Sequence, residues 1–268
     1  MIKIRNMGYK FNVEKVTHEI IDWIRTWFDQ NGKDCNAVVG VSGGKDSSIV
    51  CALCVEALGA DRVIGVMMPC GVQKDISDSI RVCEYLGIKN YTINIEGAVN
   101  ATLKQMEDAG IEISNQTIVN LPPRIRMSTL YAISQSHNGR VSNNCNLSED
   151  ICGFSTRFGD SVGDFSPLSN LTTVEIIQIG DYLGLPYDLV HKTPMDGLNM
   201  NENDEYITDE DILGVRYSDI HLYAREPEEL KKANPEVFDA IRQKELKNAF
   251  KLKPMPTYRP LESLIFKD

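Results

Sequence analysis

The chain lacks the features that mark membrane proteins and proteins that bind nucleic acid backbones. No apolar run in its 268 residues approaches the roughly 20 residues of a membrane-spanning helix. No apolar segment typical of a signal peptide follows the first charged residues. The 28 Lys and Arg residues are outnumbered by 38 Asp and Glu, for a net charge of -10. Because a phosphate backbone is usually gripped by a basic surface, we expect no nucleic acid partner and no membrane partner.

Cysteine is present without the pattern of a disulfide framework or a metal site. The seven cysteines are odd in number and scattered. Cys51 and Cys54 have C-x-x-C spacing, but they lie in the apolar run 49–55, and no second pair follows. We predict that both are buried thiols of the core. Reduced thiols favour a cytoplasmic protein.

Short apolar runs alternate with helical periodicity along the first half of the chain. This alternation predicts an α/β fold with a doubly wound parallel sheet and helices on both faces. The predicted strands are residues 37–41, 62–68, 91–95 and 140–143. The predicted helices are 13–30, 46–58, 75–86, a long helix that follows Pro122-Pro123 and runs to about His137, 173–184, and much of the chain before Pro254. Segments 145–171 and 193–210 are polar and irregular. With no repeat or linker, we expect one domain over residues 1–268.

A glycine loop joins the first predicted strand to the next helix. The sequence at residues 42–47 is Ser-Gly-Gly-Lys-Asp-Ser. Glycines let the backbone approach a ligand closely, and the N–H groups that begin a helix attract anions. An acidic residue in an anion site is explained by a divalent cation, or more simply by helix capping. The loop therefore predicts a phosphate site in which Asp46 holds a metal or caps the helix.

The loop is neither a Walker A motif nor a G-x-G-x-x-G motif. It resembles the signature of the PP-loop family, the N-type ATP pyrophosphatases. That resemblance implies the adenine nucleotide alpha hydrolase-like fold and cleavage of ATP between its α and β phosphates. It also implies that residues 42–47 hold the departing pyrophosphate.

Further motifs resemble the ammonia-dependent NAD synthetases and follow one another in the same order over residues 15–255. Residues 153–160 (GFSTRFGD) match G-[FY]-x-T-[KR]-[FY]-G-D, and residues 164–168 (DFSPL) match D-x-x-P-L. The other elements are N-x-x-x-R-x-R-M at 120–127 with Tyr131, N-x-S-E at 146–149, P-x-G-V-Q at 69–73, and D-E-x-x-L-G-x-x-Y, which we assign to Asp204-Glu205 with Leu213-Gly214 and Tyr217 after a longer insertion. The resemblance implies a homodimeric ligase that makes NAD from deamido-NAD, ATP and ammonia.

The same resemblance implies the site residues. Asp46 and Lys45 are the expected catalytic residues, and Asp46 and Glu149 the expected Mg²⁺ ligands. ATP is expected to bind Gly40, Val41, Ser42, Gly43, Gly44, Lys45, Asp46, Ser47, Gln73, Asn144, Thr173 and Met195. Deamido-NAD is expected to bind Arg124, Tyr131, Arg157, Asp164, Phe250 and Lys251. Glutamine-dependent relatives carry an added amidase domain for which this chain has no room, so free ammonia is the expected nitrogen source.

The chain departs from the family pattern at four of these positions. Asn144 and Met195 stand where threonines that contact ATP are common, and Phe250 replaces the His of a His-Lys pair. Thr173 stands where a phosphate-binding Lys is common, so Lys45, Lys192 or Lys251 is expected to supply the missing charge. Two alternatives stay open: another PP-loop adenylylating amidotransferase, and a nucleotide-binding homologue without catalysis.

Overall fold

The fold is built on a parallel sheet of four short strands. It was obtained as a computed structural model, which describes residues 10–194 and 207–260. The strands are β1 (Asn36–Gly40), β2 (Val63–Met67), β3 (Lys89–Thr92) and β4 (Gly139–Val141). Their order is β3-β2-β1-β4, and Val38 of β1 faces Ile64 on one side and Val141 on the other. The chain thus winds outward from β1 in one direction and then returns to its other side.

Helices cover both faces of this sheet. They are α1 (Val13–Asn31), α2 (Lys45–Leu58), α3 (Ile76–Leu86), α4 (Glu96–Asp108), α5 (Asn115–Ser136), α6 (Leu147–Cys152), α7 (Thr173–Tyr182), α8 (Tyr187–Val190), α9 (Asp209–Leu213), α10 (Tyr217–Arg225), α11 (Pro227–Ala233) and α12 (Pro235–Asn248). Val39 packs with the apolar residues of α1, α2 and α7, whereas Val38 packs with those of α4 and α5. Alternate residues of a strand face opposite sides, so the expected doubly wound sheet is confirmed.

A separate apolar cluster joins the C-terminal helices to the sheet layer. Tyr217 and Ile220 of α10 pack with Ile151 of α6 and with Phe238 and Ile241 of α12. Helix α10 also contacts α7, which belongs to the layer over the sheet. This arrangement brings the start of α10 toward the residues that follow β1 and β4.

Several predicted boundaries are wrong. Helix α4 was not predicted, and Val99 is its one buried residue. Helix α5 begins at Asn115 rather than after the prolines, because Ser114 caps it by accepting a hydrogen bond from Thr117. Pro122 and Pro123 lie inside this helix and are buried. The segment 145–171, predicted as irregular, contains the short helix α6.

The cysteines occupy the places expected of reduced core residues. All seven are free thiols, and six are buried. Cys51 and Cys54 lie in the middle of α2 and are fully buried, which confirms the prediction that they pack in the core. In the part of the chain that the structure describes, no helix is long and apolar enough to span a bilayer.

Candidate active site

The predicted glycine loop lies at the switch point of the sheet. It follows β1, and β1 pairs with β2 on one side and β4 on the other. In open α/β sheets, ligands bind outside the carboxyl ends of the strands at such a point. Asn144, after β4, donates a hydrogen bond to Gly40 O at 3.0 Å, so the segments that follow β1 and β4 meet there.

The loop backbone is shaped for a close approach by a ligand. Gly43 has φ +78°, and a Cβ atom there would lie 2.9 Å from Ser79 N. The Oγ atoms of Ser42 and Ser47 lie 3.1 Å apart across the loop. Gly44 is the N-cap residue that precedes α2, and no side chain among the described residues caps this end. The first N–H groups of α2 are thus left to an anion at the positive end of the helix dipole.

Lys45 and Asp46 neutralise each other at the start of α2. Lys45 Nζ lies 2.9 Å from Asp46 Oδ2, and the lysine side chain is 4% exposed. Burial on its own lowers the pKa of Lys45, but the carboxylates of Asp46, Glu149 and Asp209 outweigh it, so the pKa is raised. The ammonium group therefore stays charged although it is buried.

Asn146 links Asp46 to the second predicted metal ligand. Its Nδ2 donates to Asp46 Oδ1 at 3.0 Å, and its backbone N–H donates to Glu149 Oε2 at 3.0 Å. Asn146 and Glu149 form a capping box at the start of α6, which fixes this arrangement. Burial and the neighbouring Asp46 raise the pKa of Glu149 well above its usual range. The pair is a concentration of negative charge that one buried lysine offsets only in part.

The remaining residues predicted on the ATP side lie on separate segments of the chain. Thr173 is fully buried, and its Oγ1 reaches Asn146 Oδ1 at 3.4 Å. Gln73 Nε2 donates to Asp75 Oδ1 at 3.0 Å, in the segment that leads into α3. Met195 lies outside the described residues.

Three lysines were expected to supply the charge that a lysine at position 173 would provide. Only Lys45, among these three, belongs to the chain of hydrogen bonds that includes Thr173. Lys45 connects to Thr173 through Asp46 and Asn146. Lys192 instead contacts Asp75 and Asp78, and Lys251 donates to backbone carbonyls.

Asp209 and Tyr217 belong to the candidate site, although the sequence analysis named Tyr217 only as the last residue of a motif and did not single out Asp209. The Tyr217 hydroxyl donates to Asp209 Oδ2 at 3.0 Å, and its backbone N–H donates to Glu210 Oε1 at 2.8 Å. Residues 209–217 (DEDILGVRY) fit D-E-x-x-L-G-x-x-Y without any insertion. Our assignment of the start of that motif to Asp204-Glu205 is therefore wrong. Asp204 and Glu205 lie outside the described residues. The exact spacing was the signal that would have found Asp209.

A second group of predicted residues lies beside β4. The Tyr131 hydroxyl donates to Asp164 Oδ1 at 3.2 Å, and Asp164 Oδ2 accepts from Val141 N–H at 2.7 Å. Burial and the Asp164 carboxylate raise the pKa of Tyr131 to about 12. The tyrosine is therefore a neutral donor held by β4 and α5.

Arginine side chains extend this second group. Arg124 Nε donates to Arg157 O at 3.4 Å. The Arg157 guanidinium lies 4.8 Å from the Phe158 ring centroid and 5.5 Å from that of Phe250. Lys251 donates to the carbonyls of residues 153 and 155 at 2.6 and 3.2 Å. Four predicted residues on distant segments thus form a cationic and aromatic cluster suited to an anionic substrate.

The chain is similar to known proteins over most of its length. A family model described as NAD synthase matches residues 16–255. The NH(3)-dependent NAD(+) synthetase of Thermococcus sibiricus is 34% identical over 222 residues, which span 82% of this chain and 84% of that protein.

Two solved structures have closely similar folds. One is the NMN synthetase of Francisella tularensis, with a TM-score of 0.81 and 27% identity over 93% of this chain and 99% of the other. The second is an NH3-dependent NAD synthetase of Campylobacter jejuni subsp. jejuni, with a TM-score of 0.76 and 28% identity over 93% and 100%. With a family model that covers most of its length, the chain belongs to the NAD synthase family.

Proposed function

We propose that this chain is an ammonia-dependent NAD synthetase, a ligase that forms a C–N bond. In the first step, a carboxylate oxygen of deamido-NAD bonds to the α phosphorus of ATP, and pyrophosphate leaves. In the second step, the nitrogen of ammonia bonds to the acyl carbon, AMP leaves, and one proton is released. The observation that carries the proposal is the uncapped start of α2 after β1, with Lys45 and Asp46 at its first positions.

The ATP phosphates lie against the glycine loop in this proposal. The N–H groups at the start of α2 and the hydroxyls of Ser42 and Ser47 bind the departing pyrophosphate. Gly40, Val41, Gly43 and Gly44 shape the backbone, while Gln73 and Asn144 border the nucleotide. Thr173 contributes through the hydrogen bond that its hydroxyl donates to Asn146. Met195 is the last of the residues predicted to contact ATP.

Mg²⁺ fits the carboxylates of the site. Among the described residues, no group of three or more His, Cys, Asp or Glu side chains could hold a metal. A pair is nevertheless what Mg²⁺ uses when phosphates supply other ligands. Burial, and then the neighbouring Asp46, raise the pKa of Glu149, and a divalent cation beside the two carboxylates would favour their charged forms. Asp46 and Glu149 would hold the ion, which would supply charge stabilisation at the α phosphate.

The acid substrate lies against the second group of residues. Arg124, Arg157 and Lys251 balance its phosphates, and the ring of Phe250 offers an apolar contact. Tyr131 and Asp164 present polar atoms from β4 and α5. This side of the site orients the reacting carboxylate toward the glycine loop.

Nicotinate mononucleotide is a second candidate for the acid substrate. The observation that favours it is the TM-score of 0.81 with a protein named NMN synthetase, against 0.76 with one named NH3-dependent NAD synthetase. The chemistry would be unchanged, because only the group attached beyond the first phosphate differs.

One experiment tests both candidates. The purified protein is supplied with ATP, Mg²⁺, ammonium chloride and one acid, and the amide, AMP and pyrophosphate are quantified. Equal amounts of the three products support a synthetase, and the larger kcat/KM identifies its acid. No AMP with either acid, while ATP still binds, contradicts the enzymatic function. Glutamine as the sole nitrogen source is expected to give almost no product.

The proposal extends to the state of the protein in the cell. The seven free thiols support a reducing compartment, which we take to be the cytoplasm. The half-exposed side chains of Ile111 and Ile118 are apolar surface of the kind a homodimer buries. The contact between α7 and α10 supports a single domain over residues 1–268. Light scattering in solution tests the dimer.

A further inference from the structure

Lys45 stands where electrostatics disfavours a lysine. It is the first residue of α2, and the N-terminus of a helix carries partial positive charge. Its side chain is nevertheless 4% exposed, whereas long cationic side chains usually keep their charge in water. A residue that breaks local rules in this way marks a functional or strained site.

The surroundings of Lys45 Nζ hold it in one place. Asp46 Oδ2 accepts from it at 2.9 Å, and its Nζ lies 5.5 Å from the centroid of the Tyr217 ring. A cation over an aromatic face is attracted to it more strongly when water is excluded. Glu149 and Asp209 add negative charge from two further segments of the chain.

The Tyr217 ring is itself fixed from both ends. Its hydroxyl donates to Asp209 Oδ2 at 3.0 Å, and its backbone N–H donates to Glu210 Oε1 at 2.8 Å. The side chain is 1% exposed and packs with Ile220 and Ile151. Asp209 N–H in turn donates to Pro194 O at 3.0 Å. The ring is therefore a rigid surface beneath the ammonium group.

We infer that Tyr217 and Asp209 are positioning residues that hold the Lys45 ammonium group against the pyrophosphate released from ATP. This inference rests on the proposed function. Negative charge grows on the bridging oxygen as the bond to the α phosphorus breaks, and a preorganised cation stabilises it without reorganisation. Lys45 contacts the leaving group, whereas Tyr217 and Asp209 act through Lys45.

A double-mutant cycle between Lys45 and Tyr217 tests the inference. Lys45→Met is expected to lower kcat by about 100-fold, as for other preorganised groups at a growing charge. Tyr217→Leu is expected to lower it by about 10-fold, the size of a desolvated cation–π contact. The double variant is expected to match Lys45→Met within about twofold, because the ring then has no ammonium group to hold. Effects that multiply instead would overturn the inference.

Tyr223 supplies the matched control. It lies on the same helix, and its hydroxyl donates to Glu245 Oε2 at 2.5 Å. Tyr223→Leu is expected to change kcat by less than about twofold in both backgrounds. A Tyr223 effect as large as that of Tyr217 would mean that general damage to α10 explains the loss.

Milder variants separate positioning from misfolding. Asp209→Asn keeps an acceptor for the Tyr217 hydroxyl, so it is expected to retain at least about three times the kcat of Asp209→Ala. Equal loss in the two variants would contradict the role of this hydrogen bond. Circular dichroism confirms that each variant is folded.

Pyrophosphate binding keeps this inference distinct from the proposed function. The same cycle is run on the Kd of inorganic pyrophosphate by calorimetry, which needs neither acid nor ammonia. Coupled losses of Lys45→Met and Tyr217→Leu support the inference even if no acid is turned over. Independent losses in Kd overturn it even if the protein makes NAD.

Discussion

The guanidinium carbon of Arg157 lies 4.8 Å from the ring centroid of Phe158, whose backbone has φ +60°. An aromatic residue in the left-handed region is uncommon, and such strain is retained mainly at functional sites. The Phe158 ring is 56% exposed, so burial in the core does not compensate for the strain. The contact with Arg157 is the visible gain.

Phe158→Asn is expected to stabilise the protein while weakening its site. Asn tolerates a positive φ, so the free energy of unfolding should rise by about 1 kcal/mol. Arg157 loses one aromatic neighbour, so the KM for the acid substrate should rise several-fold while that for ATP stays unchanged. Urea unfolding and steady-state kinetics measure the two effects.

Phe250→Asn is the control for this substitution. Phe250 is the other ring beside Arg157, but its φ is not positive. Its replacement is expected to raise the same KM without any gain in stability. A stability gain at both positions would show that loss of exposed apolar surface, and not relief of backbone strain, is responsible.

Gly43→Ala is expected to disable the glycine loop. The backbone at φ +78° costs a non-glycine residue about 1–2 kcal/mol. The new methyl group would also lie 2.9 Å from Ser79 N, which the loop relieves only by moving. AMP formation should fall by at least about 100-fold, because the donors that meet the phosphates are displaced.

Gly59→Ala separates strain from function. Gly59 follows the other end of α2, has φ +87°, and a Cβ there meets nothing within 4 Å. It should lose similar stability but keep its activity. Equal losses of activity in both variants would argue that the helix, and not the loop, is what matters.

Asp46→Asn is expected to make the enzyme insensitive to Mg²⁺ and nearly inactive. The change removes a proposed metal ligand and the ion-pair partner of Lys45, so a loss of about 100-fold or more is expected at saturating ATP. Chelation of Mg²⁺ should silence the wild-type protein to a similar level. Asp22→Asn, which breaks an exposed pair with Arg25, should have no effect. Wild-type response to Mg²⁺ in Asp46→Asn would refute the ligand assignment.

The two central strands β1 and β2 could be predicted from sequence because they are nearly continuous apolar runs. Ala37, Val38 and Val39 are all fully buried, which is what a strand covered on both faces requires. Helix α4 was not predicted because only Val99 of its residues is buried, so the sequence shows no continuous apolar stripe. The predicted start of α5 was wrong because proline is unfavourable inside a helix, which suggested that the helix follows Pro122 and Pro123. Packing of the apolar residues of α5 against the sheet overrides this local preference.

The candidate site was predictable where motifs are contiguous. Residues 42–47 follow β1 and run into the start of α2, where the sequence predicted the loop, whereas the roles of residues 153–160 stay predictions. The link between Lys45 and Tyr217 was not predictable, because it depends on how α10 packs on α7. Periodicity describes the face of a helix, but it contains no information about which distant face it meets.

His221 joins α10 to the start of α7. Its Nδ1 lies 2.7 Å from Thr172 Oγ1, and the ring is 2% exposed. Thr172 also begins a capping box with Glu175, which pairs with Arg225 at 2.7 Å. Burial lowers the pKa of His221, and Glu175 offsets this only in part. The folded protein therefore favours the neutral ring.

This preference predicts a loss of stability in mild acid. The unfolded chain takes up a proton at His221 as the pH falls through about 6.5, whereas the folded chain does so at lower pH. The contribution of the neutral His221 ring to the free energy of unfolding is complete above about pH 6.5. It is lost as the pH falls through the lower pKa of the folded protein. His221→Gln should flatten the fall in the free energy of urea unfolding between about pH 7.5 and 5.5. His18→Gln, at an exposed histidine, should leave it unchanged. If the free energy of unfolding falls with pH as steeply in both variants as in the wild type, groups other than His221 cause the acid sensitivity.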